Sequence, residues 1–255
     1  MEWLTNWFDN SAVVQDIITL ARPATFNIYF ALISIPLGFP FAMLLALGKN
    51  SKNRIISMLS KAYIYAFRGS PLFIQFFMFY SFLLAFNRSL WKPMGIDEIV
   101  LHPLFLGPLV LVLNTSAYAA EIFYGAMRTV PKGQLEAARA IGMSRWQEFW
   151  SVTWPNTIRL AWPAYTNEVV FLFHATALVY FTLPVINDQK DLMNKAGELF
   201  EQDYNVFLHF SVAALYFLVI SMVIFFVCGL VQKYLSRHVR KDERQKFRFK
   251  PNYIR

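Results

Sequence analysis

The chain has 255 residues, of which 56% are hydrophobic and only 16% charged, with 26 phenylalanines. A soluble domain of this size carries about a quarter charged residues, so the composition excludes one. One cysteine, Cys228, excludes an intrachain disulfide, and four scattered histidines with that single thiol suggest no metal site.

Read in order, the chain is expected to be all-α and integral to a membrane. Residues 1–19 lack the basic start and small-residue cleavage site of a signal peptide. With Trp3 and Trp7 four apart, they read as an interfacial segment. A permease-like membrane domain over 20–232 holds about five spans, near 24–48, 57–87, 104–130, 157–185 and 205–232. The second contains Arg68-Gly-Ser-Pro71, where proline removes a donor and restrains the residue before it. That span is expected to be broken, which a membrane tolerates only beside protein or a water-filled cavity. Residues 233–255 form a basic tail.

The basic residues set the orientation. Lys49, Lys52, Arg54, Lys61, Arg128, Lys132, Arg139, Arg145, Arg159 and the tail fall on one side; Arg22, Arg88, Lys92, Lys190 and Lys195 fall on the other. The richer side is cytoplasmic, giving a periplasmic N-terminus and a cytoplasmic C-terminus. The net charge of +8 is then a topological signal, and no nucleic-acid partner is implied. Asp188, Asp191, Glu198, Glu201 and Asp203 make the last outer loop acidic.

The longest cytoplasmic connection, about 131–156, has the grammar of two short helices. Pro131 suits a helix start, and Leu135 to Ile141 are strong helix formers. Gly142 can take the left-handed conformation that ends a helix, and Ser144 with Gln147 forms a capping box for a second, Ser144 to Trp154. That second helix would gather Trp146, Phe149, Trp150 and Thr153 on one face. The plain reading is an amphipathic surface hairpin; the sharper one is a docking element for a cytoplasmic partner.

Glu136-Ala137-Ala138, three residues, Gly142, nine residues, then Val152-x-Trp154-Pro155 resembles the EAA loop of ABC-importer permeases, with tryptophan where leucine is usual. Arg68-Gly-Ser-Pro71-Leu72 with Gln75 is similar to the Arg-Gly-Thr-Pro-Leu motif of the polar amino-acid subfamily. Asn114 through Gly125 and Pro131-Lys132-Gly133-Gln134 are similar to that subfamily's lead into the loop. His174-Ala175-Thr176-Ala177-Leu178 stands where many members carry Lys-Asp-Thr-Ser-Leu, and this departure resembles the second permease of histidine, basic amino-acid and opine importers.

The resemblance implies a permease in a bacterial inner membrane, with two ATP-binding subunits docked on the EAA loops, a second and non-identical permease, and a periplasmic substrate-binding protein. Glu136, Ala137, Ala138, Gly142, Ser144 and Pro155 would couple to the ATPase. The substrate would be histidine, arginine, lysine, ornithine, octopine or nopaline. The chain itself has no Walker A pattern, so it is expected to be non-catalytic and to bind no cofactor, ATP and magnesium belonging to the partner. Candidate path residues are Gln75, Asn114, Glu121, Asn167, Glu168, His174 and Thr176, because polar groups at membrane depth default to function or to a buried pair. Carboxylates suit an amino acid's ammonium group; a structural ion pair is the competing reading for Glu121 and Glu168. Arg68 and Pro71 read as structural first, and His102 and His209 as interfacial or packing residues. A secondary transporter would usually carry two inverted halves, an intramembrane enzyme would need a nucleophile or metal constellation, and an assembly factor leaves the spacing of the cytoplasmic loop unexplained.

Overall fold

A computed structural model describes residues 12–186 and 189–237. The expected interfacial pair Trp3 and Trp7, Asp188 and the tail beyond residue 237 lie outside the described residues. Ten α-helices are present among them, with no strand. They are α1 (Ala12–Lys49), α2 (Arg54–Gly69), α3 (Leu72–Ala85), α4 (Asp97–Val100), α5 (Pro103–Arg128), α6 (Lys132–Ala140), α7 (Arg145–Glu148), α8 (Trp154–Ala175), α9 (Leu192–Asp203) and α10 (Val206–Leu235). Helices dominate because each backbone donor must find an acceptor within its own segment where water is absent.

Three helices, α1, α5 and α10, are long and apolar enough to cross a membrane, and the pair α2 and α3 counts as a fourth if taken as one broken span. The expectation of five exceeds this number. The difference lies in α8, which carries Asn156, Arg159, Asn167, Glu168 and His174. It also stops at Ala175 and tightens into a 3-10 turn over Thr176–Phe181, short of the expected end at 185.

The break at Ser70-Pro71 falls where proline forbids continuation, and α2 and α3 meet there at 109°. Helix α1 begins at Ala12, well before the expected 24, and runs 38 residues despite Pro23, Pro36 and Pro40. That is about 57 Å, far more than a hydrocarbon core of about 30 Å, so its ends project beyond one. The N-terminal projection is pinned to α9 and α10: His209 Nδ1 lies 2.5 Å from Asp16 Oδ2, and Nε2 lies 2.7 Å from Asp203 Oδ1.

Packing centres on α5, which lies against α1, α2 and α8. Lipid is as apolar as a core, so burial there gains little hydrophobic free energy, and close contact matters more. The main cluster is accordingly rich in alanine: Ala42, Ala46, Ala119, Ala120, Ala126 and Ala161 let backbones approach, while Phe123 and Tyr165 fill the gaps. Gly38 serves the same purpose, since a Cβ there would stand 2.8 Å from Thr115 Cγ2.

Candidate functional site

Two groupings matter: the hairpin after α5 and the polar network between α1, α2, α5 and α8. The hairpin follows the sequence closely at its turn. Gly142 has φ +80, where any side chain is strained. Gly142 N donates to Arg139 O at 3.0 Å and Met143 N to Ala138 O at 3.1 Å, the paired bonds that close a helix end through a left-handed residue. Ser144 then starts α7 with the expected box: Gln147 N donates to Ser144 Oγ, and Ser144 N to Gln147 Oε1 at 2.9 Å.

Beyond the turn the structure departs from expectation. The second helix is not regular: one α turn is followed by a π-helical turn over Phe149–Thr153 that runs directly into α8. The aromatic ridge forms, with Trp146 and Trp150 centroids 5.5 Å apart and Phe149 stacked on Trp154 at 6.0 Å. Trp154 also meets Phe39 and Phe123 at 6.2 and 5.9 Å, so the tryptophan in place of leucine anchors the hairpin to the core.

A fork the sequence reading missed spans the turn: Arg139 Nε and Nη2 donate to Glu148 Oε2 and Oε1 at 2.7 and 2.9 Å. This bonding holds the Glu148 carboxyl below its ordinary range. The charge pattern Arg139 and Glu148, nine apart across a glycine, was the available signal. Glu136, Ala137, Gly142, Ser144 and Pro155 are all exposed, and Ala138 alone of the coupling candidates is buried. A cavity of about 650 Å³ opens beneath, lined by Arg139, Arg145 and Glu148 from the hairpin and by Leu47 and Lys52 from the end of α1 and the turn after it.

The polar network separates the path candidates. Gln75 is buried and caps the broken helix: its Nε2 donates to Phe67 O, Ser70 O and Ser70 Oγ at 2.8–3.0 Å, satisfying carbonyls the break leaves free. Its Oε1 accepts from Asn114 Nδ2 at 3.0 Å. Pro71 stands at the head of α3. Glu121 is engaged by Lys49 Nζ, 2.7 and 2.5 Å from its two oxygens, with Arg68 Nη1 at 3.8 Å. Thr176 donates to Phe173 O and accepts from Asn27 Nδ2 at 2.9 Å, while Asn27 Oδ1 accepts from Leu192 N at 3.0 Å, tying α1, α8 and α9 together. Neither Lys49 nor Asn27 was singled out from the sequence, because their partners lie far along the chain.

Glu168 is different. It is buried on α8, and among the described residues the one hydrogen bond to its side chain comes from Thr115 Oγ1 to Oε1 at 2.9 Å. Asn167 and His174, seven residues apart and hence on one face of α8, are exposed together with Phe171. His174 Nε2 lies 2.8 Å from Ser221 Oγ of α10, beside an apolar cavity of about 590 Å³. His102 caps α5, its Nδ1 accepting from Leu104 N at 3.2 Å.

Residues 38–241 match the family described as binding-protein-dependent transport system inner membrane component. The chain belongs to that family. Among its relatives, the permease is 35% identical to the histidine/lysine/arginine/ornithine transport system permease protein HisM of Escherichia coli, over 84% of this chain and 87% of the relative. It is 33% identical to the nopaline transport system permease protein NocM of Agrobacterium fabrum, over 91% and 94%. It is 31% identical to the octopine transport system permease protein OccM of Rhizobium radiobacter, over 85% and 86%. A solved amino acid ABC transporter shares the permease fold, with a TM-score of 0.71, 24% identity and coverage of 87% and 96%.

Proposed function

We propose that this permease is the membrane-spanning subunit of an ATP-driven importer in a bacterial inner membrane, carrying a basic amino acid or an opine handed over by a periplasmic binding protein. Two ATP-binding subunits dock on the hairpins of this chain and of a second, non-identical permease, and they alone hydrolyse ATP. The observation that carries this reading is the hairpin: a turn closed by Gly142, forked by Arg139 and Glu148, and joined without interruption to α8. A push on its exposed first helix is therefore delivered to the helix that bears Glu168. The relatives' names support the substrate class, and the carboxylate of Glu168, held by one hydroxyl, has the charge to meet an ammonium or guanidinium.

The fifth span belongs to this reading as well. Helix α8 crosses the membrane with its polar residues turned to protein or to the path, as ionisable residues at that depth require. The test is uptake by the reconstituted complex of labelled histidine, arginine, lysine, ornithine, octopine and nopaline, with ATP hydrolysis followed in parallel. ATP-dependent uptake of at least one is expected; uptake of none, in a complex whose ATPase is active, refutes the substrate class.

A further inference from the structure

Helix α1 turns into α2 within a long stretch free of acids: from residue 17 to residue 96 the chain carries no aspartate or glutamate. Three cations of this stretch, Lys52 in the turn and Arg54 and Lys61 on α2, are exposed and line one cavity of about 590 Å³. No carboxylate lines it, and among the described residues none of the three takes part in an ion pair. Lys49, the fourth cation there, is engaged by Glu121 instead. A topological signal depends on the number of charges in a loop; it requires neither a shared cavity nor the absence of acids from it.

The backbone that carries these cations is fixed. Asn53 Oδ1 accepts from Ile55 N at 2.9 Å and opens α2, and Ser57 Oγ donates to Lys49 O at 3.0 Å, tying α2 back to the end of α1. The two helices touch there, since a Cβ on Gly48 would collide with Ser60 Oγ.

The neighbours of the cations identify the anion. Arg54 and Lys61 are two helical turns apart and share a face of α2 with Met58 and Tyr65, both exposed. Met58, Ala62 and Tyr65 give the cavity an apolar wall that continues along α2 away from the turn. A soluble phosphate has no use for such a wall, whereas a phospholipid joins a phosphate to acyl chains in the same order. Arg54 and Lys61 stand about 10 Å apart along the axis, and one headgroup layer is about 5–8 Å deep. The long stem of Lys61 covers the remainder and returns its ammonium to that layer.

We propose that this cavity binds the phosphate headgroup of an anionic phospholipid in the cytoplasmic leaflet, with an acyl chain laid along Met58 and Tyr65. Guanidinium and ammonium groups are the usual partners of such phosphates, and basic clusters at the cytoplasmic end of a membrane helix select anionic lipids. The inference rests on the cytoplasmic placement of this turn read from the sequence.

The test uses the purified importer complex, delipidated and then supplied with phosphatidylglycerol or phosphatidylcholine, with retained lipid counted by native mass spectrometry. Arg54→Gln with Lys61→Gln removes two exposed cations and leaves the Asn53 cap and the Ser57 bond to hold α2. Lys52 is kept, because it also lines the cavity beneath the hairpin. Wild type and Lys92→Gln should retain phosphatidylglycerol, and the double variant should hold it about tenfold more weakly, a difference of about 1.4 kcal/mol. Equal retention by the double variant, or equal retention of phosphatidylcholine, overturns the proposal. So does displacement of the lipid by millimolar inorganic phosphate, which would mark a site for soluble anions. Loss of the ATPase from the double variant overturns it too, since the cations would then serve a protein contact. Placement is checked separately with Asn50→Cys in a Cys228→Ser chain: an impermeant maleimide should label it only after spheroplasts are lysed. Labelling of intact spheroplasts would refute the cytoplasmic placement, whatever the lipid counts show.

Discussion

Single residues in this permease divide by what already holds them. Glu121 and Glu168 look alike in the sequence, as acids at membrane depth, yet Lys49 and Arg68 occupy the first while one threonine hydroxyl meets the second. The same substitution should therefore do different things. Glu168→Gln keeps an oxygen for Thr115 and loses only the charge, so the complex should assemble normally while uptake of a cationic substrate falls about tenfold or more. Unchanged uptake would remove Glu168 from the path. Glu121→Gln leaves Lys49 and Arg68 facing a neutral amide. The pair is partly exposed, so the loss is modest, about 1 kcal/mol, and should appear as a lower melting temperature of the complex. Gly142→Asp belongs with these. Its φ of +80 strains any side chain, at a cost on the order of 1 kcal/mol, and an added carboxylate would need desolvation beneath an ATPase. Insertion should survive while ATPase pull-down and uptake both fail; normal values for both would mean the hairpin does not couple.

At the scale of elements, the features legible in the sequence were those fixed by local chemistry. Proline breaks the second span, Gly142 closes α6, and Ser144 with Gln147 opens α7, because each needs only neighbours within a turn. What was not legible depends on distant partners: α1 extends back to Ala12 because His209 receives Asp16, and α8 ends early where Asn27 takes up Thr176. Helix α9 offers a test through its own cap. Asp191 accepts from Asn194 through Oδ1, but among the described residues its buried Oδ2 has no hydrogen-bond partner, and burial raises its pKa to about 6. A carboxyl raised on folding contributes stability that is complete below its unfolded value of about 3.9 and is lost as pH rises through about 6. At pH 7.5 the wild type therefore carries a buried charge, which Asp191→Asn removes while remaining a good cap. The variant should show slower amide exchange over residues 192–203 at pH 7.5, with the gain vanishing near pH 4. A loss of protection at pH 7.5 would mean that the charge is needed there.

At the scale of the whole molecule, one face of α8 bears on the proposed pairing. Asn167, Phe171 and His174 form an exposed stripe on α8, and a side-chain amide facing hydrocarbon costs several kcal/mol unless protein or water meets it. Glu168, the next residue on α8, is buried instead and turned to Thr115 of α5. A second permease fits this need better than lipid, which offers no hydrogen bonds. In the function proposed above, that partner is a different chain. Asn167→Cys in a Cys228→Ser chain should then form a disulfide with cysteines introduced on that partner, and the protein expressed with ATPase and binding protein alone should give no uptake. Full ATP-dependent transport by complexes containing two copies of this chain would overturn the requirement for a different partner. A crosslink between two copies at residue 167 would then identify the same stripe as the face of a homodimer.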